Sequence, residues 1–151
     1  MAPYIVIVED DHLQEGPLEE YLTSAIAGAD IETICTELEF RKRLPALRER
    51  VPDVVIMDVM LRWTFPAPRA LPPPEDVATG GYYRAGLRCA HLLANDPRLS
   101  SVPIVLYTIL ERGDLERDGE ALPANSTYVG KNAELEVLSR KVRNLLKTRT
   151  R

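Results

Sequence analysis

Short apolar runs alternate along this chain with longer segments in which apolar residues recur every three or four positions. The apolar runs predict five strands, at residues 4–9, 31–35, 53–58, 102–107 and 126–129. The helical spacing predicts helices at 12–27, 37–50, 81–95 and 133–147, and only a short helix within 109–122. The first strand is a near-continuous apolar run, which is typical of strands buried on both faces of a sheet. The alternation therefore predicts an α/β fold with a doubly wound, five-stranded parallel sheet and helices on both faces.

Prolines interrupt this pattern in three places. Pro17 lies inside the first predicted helix, so the regular part of that helix is expected to start there. Pro45 lies inside the second and is expected to kink or split it. Residues 59–80 contain five of the twelve prolines of the chain, so this stretch is expected to be irregular or polyproline-like and to contain no helix.

Polar residues follow four of the five predicted strands. Glu9 and Asp10 close the first strand, Asp58 closes the third, and Thr108 and Lys131 follow the fourth and fifth. Each is unremarkable alone, but ligands of parallel α/β sheets bind beyond the carboxyl ends of the strands, where all five would meet. Three carboxylates suit a hard cation such as Mg²⁺, and the hydroxyl and the amine suit an anion beside it. The pattern therefore predicts phosphoryl transfer to an aspartate.

Composition narrows the class of protein. A chain of 151 residues that is 45% hydrophobic is most simply one domain, 1–151, with a core that needs no disulfide. Its net charge of −4 gives no nucleic-acid signature. Cys35 and Cys89 are expected to be reduced thiols. No leader-like or membrane-spanning segment is visible, so the expected location is the cytoplasm.

Four segments carry a resemblance to a known family: IVIVEDD at 5–11, VVIMDVML at 54–61, IVLYT at 104–108 and YVGK at 128–131. Together they resemble the receiver domains of two-component response regulators. The resemblance covers nearly the whole chain except 62–80. It implies a flavodoxin-like (βα)5 receiver fold in three layers, with 62–80 as a proline-rich insertion after the third strand.

The resemblance also implies a metal and acceptor site. Asp58 would be the phospho-acceptor. Asp10 would bind Mg²⁺ directly, Glu9 would hold it mostly through water, and the backbone carbonyl of Met60 would complete the protein ligands. Asp11 is expected to be a neighbour and not a ligand.

Three further residues would act on the phosphoryl group or respond to it. Thr108 and Lys131 would contact the phosphoryl oxygens, one by a hydrogen bond and the other by charge. Thr108 and Tyr128 would form a switch pair, in which the hydroxyl moves towards the phosphoryl group and the aromatic ring turns inward.

The chain departs from the family pattern around the site. Arg62 stands four residues after Asp58, where the family usually has proline, and Gly86 matches a glycine that normally follows much sooner. Ile109 replaces a usually small residue and is expected to narrow access to the site. Met60 and Leu110 are apolar where family members tune hydrolysis, which predicts a slowly hydrolysing aspartyl phosphate.

The expected function is that of a stand-alone receiver rather than an enzyme, with self-catalysed phosphotransfer as its only reaction. The donor would be a histidine kinase or a histidine phosphotransfer protein. No DNA-binding domain is visible, so output would be a contact with another protein or with a second copy of the chain. The alternative is a receiver-like binding module that works without phosphorylation through the 62–80 insertion, where Trp63 and Phe65 form a docking surface or fold back onto the domain. A phosphatase is disfavoured because Met60 replaces its second acid.

Overall fold

The computed structural model describes residues 2–116 and 121–149. Five parallel strands form one sheet in the order β2-β1-β3-β4-β5. The strands are β1 (Tyr4–Val8), β2 (Asp30–Ile34), β3 (Val54–Met57), β4 (Ile104–Thr108) and β5 (Ser126–Gly130). All five lie within two residues of their predicted bounds, and the predicted parallel α/β fold is confirmed.

The central strands β1, β3 and β4 are buried along their whole length because both faces of the sheet are covered, whereas the edge strands β2 and β5 carry polar residues and are only partly buried. In β1, Tyr4, Val6 and Val8 pack into one core cluster, and Ile5 and Ile7 pack into the cluster on the opposite face. Successive side chains of a strand point to opposite faces, so a strand between two layers of helices must be apolar at every position. Each fully buried aliphatic side chain of this kind contributes about 1.5–3 kcal/mol.

Helices form the two outer layers. They are α1 (His12–Ala25), α2 (Glu37–Glu49), α3 (Glu75–Gly80), α4 (Ala85–Ala94), α5 (Arg112–Leu115) and α6 (Leu135–Arg149), with a 3₁₀ turn at Tyr82–Arg84. Helices α1 and α6 cover the face that contains Ile5 and Ile7. Helices α2 and α4 cover the other face, with Phe40 and Leu47 among the buried side chains of α2.

The prolines inside α1 and α2 do not interrupt them. Helix α1 runs through Pro17, so the expectation that its regular part starts at that proline is wrong. Helix α2 continues through Pro45, so a split there is also wrong. A proline in a helix interior removes one hydrogen bond and costs about 3 kcal/mol. In α2 the burial of Phe40 and Leu47 on either side of the proline offsets that cost.

The proline-rich stretch contains a helix, which corrects the expectation of none. Helix α3 starts directly after the last of the prolines, with Pro74 at its N-cap position. The fixed φ of proline is compatible with a helix start, so prolines that end before residue 75 do not prevent one. Val77 is buried and anchors this short helix to the domain.

The cysteines and the lengths of the helices bear on the surroundings in which the protein can exist. Cys35 and Cys89 are not joined in a disulfide, and Cys89 is buried. Burial raises the pKa of the Cys89 thiol, so this side chain stays protonated. Within residues 2–116 and 121–149, no helix combines the length and the apolar character needed to cross a bilayer.

Candidate functional site

The candidate site lies at the carboxyl ends of β1 and β3, where the strand order reverses. Val8 at the end of β1 lies beside Met57 at the end of β3, so the residues that follow these strands are neighbours. The Asp58 amide donates a hydrogen bond to the Val8 carbonyl at 2.9 Å. Such a topological switch point is the usual ligand crevice of an open α/β sheet.

Three carboxylates meet at this point. Oxygen atoms of Glu9, Asp10 and Asp58 lie within 4.8 Å of one another. Glu9 and Asp58 are buried, at 2% and 6% exposure, and Asp10 is more open to solvent. Opposite ligands of an octahedral Mg²⁺ lie about 4.2 Å apart, and Mg²⁺ usually retains several waters. The three carboxylates therefore fit a hydrated Mg²⁺ with small side-chain adjustments.

Lys131 supplies a buried positive charge between Glu9 and Asp58. Its Nζ donates hydrogen bonds to Asp58 Oδ2 at 2.8 Å and to Glu9 Oε2 at 2.5 Å. Its backbone amide donates to the Thr108 carbonyl at 2.9 Å, which ties the end of β5 to the end of β4. Two buried carboxylates held by one amine are a compact, charge-assisted network. The network brings together residues from three strand ends, as the sequence predicts.

Burial and charge shift the pKa values of Glu9 and Lys131. Burial, followed by the negative charge of Asp58, raises the pKa of Glu9 to about 7, although Lys131 acts in the opposite direction. Burial is also the largest influence on the pKa of Lys131 and lowers it, but the two carboxylates outweigh it, so the net shift is upwards. Lys131 is therefore a fixed cation, and a second cation would relieve the repulsion between the carboxylates.

Thr108 and Tyr128 both contact Leu110 in the loop after β4. Thr108 is fully buried, and its hydroxyl accepts a hydrogen bond from the Leu110 amide at 3.2 Å. Tyr128 is half-buried, and its hydroxyl donates to the Leu110 carbonyl at 2.7 Å. A movement of either side chain would break a hydrogen bond to the same residue. The geometry couples the two through one loop.

The loop after β3 is held tightly against the start of α4. The Met60 amide donates to Asp58 Oδ1 at 3.3 Å, and the Gly86 amide donates to the Val59 carbonyl at 2.7 Å. A Cβ atom on Gly86 would lie only 1.9 Å from the backbone oxygen of Asp58. Only glycine allows α4 to approach Asp58 so closely, which accounts for the glycine at this position.

Arg62 is a site residue whose role the sequence pattern does not indicate. Its backbone amide and its Nε both donate hydrogen bonds to Asp10 Oδ2, at 3.0 and 3.3 Å. In the sequence Arg62 stands out only as a departure from the usual proline. Its partner is 52 positions away, so no local spacing signals the pair.

A cavity of about 310 Å³ lies beside the carboxylates, on the side of α1. Glu9 and Lys131 line it together with apolar side chains that include Tyr107 and Ile109. Ile109 is 65% exposed and forms part of the cavity wall. Of the three carboxylates, Glu9 is the one that lines this cavity.

The start of the insertion packs against α2. The carbonyls of Arg62 and Trp63 accept hydrogen bonds from the first two amides of α2, Glu37 and Leu38, at 3.0 and 2.9 Å. Trp63 and Phe65 are half-buried, and the Trp63 indole donates to the Leu71 carbonyl at 3.0 Å. Trp63 and Phe65 are thus folded back onto the domain. The two carbonyls provide hydrogen-bond acceptors for helix amides that have no partner within the helix.

Comparison with known proteins identifies solved structures that have the same fold. No family model and no curated protein matches this chain. Among solved structures, it is similar to the signal receiver domain of a histidine kinase from Syntrophus aciditrophicus, at 26% identity and TM-score 0.68, over 97% of this chain and 92% of that one. It is also similar to the receiver domain of a sensor histidine kinase from Pseudomonas aeruginosa PAO1 with magnesium in its active-site cleft, at 16% identity and TM-score 0.66, over 97% and 99% of the two chains.

A third similar structure is the BeF3-activated DrrB receiver domain, at 22% identity and TM-score 0.67, over 97% of this chain and 99% of that one. At sequence identities below 25%, as for the last two of these structures, structural similarity establishes the fold alone. The neighbours are receiver domains of response regulators and of histidine kinases, and this chain has their five-stranded fold over almost its full length. The resemblance seen in the sequence motifs is thereby confirmed.

Proposed function

We propose that this chain is a phosphorylation-activated response regulator receiver, with Asp58 as its phospho-acceptor. The observation that carries the proposal is the cluster of Glu9, Asp10 and Asp58 with Lys131, at the switch point of a receiver fold, in which Glu9 and Asp58 are buried. Three carboxylates meet two cationic side chains here, because Lys131 pairs with Glu9 and Asp58 and Arg62 pairs with Asp10. One negative charge is left over, and carboxylates this close together repel one another unless a further cation joins them.

Glu9, Asp10 and Asp58 would hold Mg²⁺, and the backbone carbonyl of Met60 would be a further ligand. The three carboxylates offer the hard oxygen atoms that Mg²⁺ prefers. When bound, the ion would neutralise the negative charge of the incoming phosphoryl group. The Met60 carbonyl rests on the resemblance of the 54–61 segment to the family motif.

The chemistry requires one nucleophile and two positioning groups. A carboxylate oxygen of Asp58 attacks phosphorus, and the bond between phosphorus and the donor atom breaks with its electron pair leaving on the donor. Lys131, which holds Asp58 Oδ2 at 2.8 Å, then pairs with the phosphoryl oxygens. The Thr108 hydroxyl turns from Leu110 towards the phosphoryl group, and Tyr128 turns inward behind it.

The donor would be a histidine kinase or a histidine phosphotransfer protein, in keeping with the fold. The output would be a contact with a downstream protein or with a second copy of the chain. The expected location is the cytoplasm, because two cysteines that form no disulfide suit a reducing compartment.

The proposal is tested by the intact mass of the protein after incubation with a small acyl phosphate. With Mg²⁺ the protein should gain the mass of one phosphoryl group, and with EDTA in place of Mg²⁺ it should gain none. Hydroxylamine should remove the group, because an aspartyl phosphate is a mixed anhydride. If no adduct forms under conditions that label another receiver, the proposal is wrong, and a binding module acting through 62–80 becomes the better explanation.

The phosphorylated protein should lose its phosphoryl group slowly. Met60 and Leu110 flank the site with apolar side chains, and neither can orient a water molecule for attack on phosphorus. Met60→Gln introduces an amide that can, so hydrolysis should accelerate roughly three- to ten-fold. Hydrolysis is measured by intact mass over time after removal of the donor.

Val137→Gln is the matched control for this experiment. Val137 is an apolar, exposed residue of α6, and a glutamine there should not change the rate. A half-life of seconds for the wild-type adduct would show that another group activates water. The expectation would then be abandoned.

A further inference from the structure

Arg62 occupies a place beside Asp10 where its charge opposes that of a metal ion. Its backbone is fixed from both sides: the amide donates to Asp10 Oδ2 at 3.0 Å, and the carbonyl accepts from the Glu37 amide at 3.0 Å. These two bonds join the end of β1 to the start of α2 through a single peptide segment. The position of residue 62 next to Asp10 is therefore set by the fold.

The guanidinium group is held more loosely than the backbone. Its Nε lies 3.3 Å from Asp10 Oδ2, and the side chain is 50% exposed. Its central carbon lies 5.2 Å from the centre of the Phe65 ring, within the range of a cation–π contact. The ring gives the guanidinium a second favourable contact. It can leave Asp10 without disturbing the two backbone hydrogen bonds.

Asp10 is the carboxylate for which this competition matters. Glu9 and Asp58 already share Lys131, and Asp10 is the member of the cluster that is open to solvent. The Arg62 guanidinium takes up part of the negative charge of Asp10, and it repels a divalent cation bound a few ångströms away. The metal ion must therefore either displace the guanidinium from Asp10 or bind in spite of the electrostatic repulsion between the two positive charges.

We propose that Arg62 competes with Mg²⁺ for Asp10 and so lowers the metal affinity of the site. This inference rests on the proposed function, because it takes Glu9, Asp10 and Asp58 as the metal ligands. The insertion thereby acts on the site through its first residue.

The experiment is a Mg²⁺ titration of the full chain at low ionic strength. Trp63 is the only tryptophan and adjoins Arg62, so its emission reports the titration, and the midpoint is compared between variants. Arg62→Gln should tighten Mg²⁺ binding about three- to ten-fold, the range expected for removing a partly exposed charge next to the ion. Arg62→Lys keeps the charge and should stay close to the wild type.

Arg69→Gln is the matched control. Arg69 is an exposed arginine of the same insertion, and its loss should change the Mg²⁺ midpoint less than two-fold. The effect of Arg62→Gln should also shrink as salt is added, because salt screens charges at an exposed position. Free Mn²⁺ counted by electron paramagnetic resonance provides a second readout that does not depend on Trp63.

The outcomes separate this inference from the proposed function. If the wild type binds Mg²⁺ and Arg62→Gln binds it no more tightly, competition by Arg62 is refuted and the metal site stands. If Arg69→Gln tightens binding as much as Arg62→Gln, the effect is one of net charge, and the inference again fails. If neither the wild type nor any variant binds Mg²⁺ or Mn²⁺ at millimolar concentrations, both proposals fail.

Discussion

Asp58→Asn will abolish the phosphoryl adduct that forms with an acyl phosphate and Mg²⁺. The substitution keeps the shape of the side chain but replaces the nucleophilic carboxylate oxygen with a poorly nucleophilic amide. It also weakens one of the two interactions that orient Lys131, since an amide binds an ammonium group more weakly than a carboxylate does. The expected result is the complete loss of the added mass.

Asp11→Asn is the matched control for this loss. Asp11 belongs to the same acidic run as Glu9 and Asp10, and its amide donates to Glu9 Oε1 at 3.2 Å, but its carboxylate is not among the three that converge. Asp11→Asn should therefore label as the wild type does. Circular dichroism checks that both variants are folded. An adduct that persists in folded Asp58→Asn would mean that another carboxylate accepts the phosphoryl group.

The fold could be predicted because each strand and helix is indicated by the residue pattern of its own segment. Tyr4–Val8 and Val54–Met57 are apolar at every position, and this pattern has few meanings other than a strand covered on both faces. Two such runs, together with three further strand-like runs and the helical segments between them, leave little choice of topology. The prediction that Pro45 would split α2 was wrong for a physical reason. The sequence shows that a proline weakens a helix, but it does not show that the burial of Phe40 and Leu47 offsets this cost.

The candidate site could be predicted only in part. The positions of residues at strand ends follow from the sheet, whereas the contacts made by irregular loops do not follow from the sequence pattern. Parallel strands bring their carboxyl ends to one edge, so the convergence of Glu9, Asp10 and Asp58 follows from their positions after β1 and β3. The pairing of Arg62 with Asp10 depends on how an irregular segment packs against α2. No periodicity describes that segment, so the sequence does not reveal the pair.

The glycine at position 86 connects the packing of the fold with the site. Gly86→Ala would place a methyl group 1.9 Å from the Asp58 carbonyl oxygen and 2.6 Å from the Val59 Cα. Both neighbours are backbone atoms, so no rotamer change relieves the clash, and either α4 or the loop after β3 must move. The expected loss in the free energy of unfolding is about 3 kcal/mol, at the upper end for overpacking. For a chain of this length, that loss lowers the melting temperature by roughly 6–12 °C.

Gly16→Ala makes the same chemical change with the opposite expected sign. Gly16 lies inside α1 and is exposed, and a Cβ there meets no atom within 4 Å. Alanine in a helix interior is favoured over glycine by roughly 0.5–1 kcal/mol, so this variant should be slightly more stable than the wild type. Thermal and urea unfolding measure both variants. If Gly86→Ala unfolds within about 1 kcal/mol of the wild type, α4 does not lie as close to Asp58 as the structure places it.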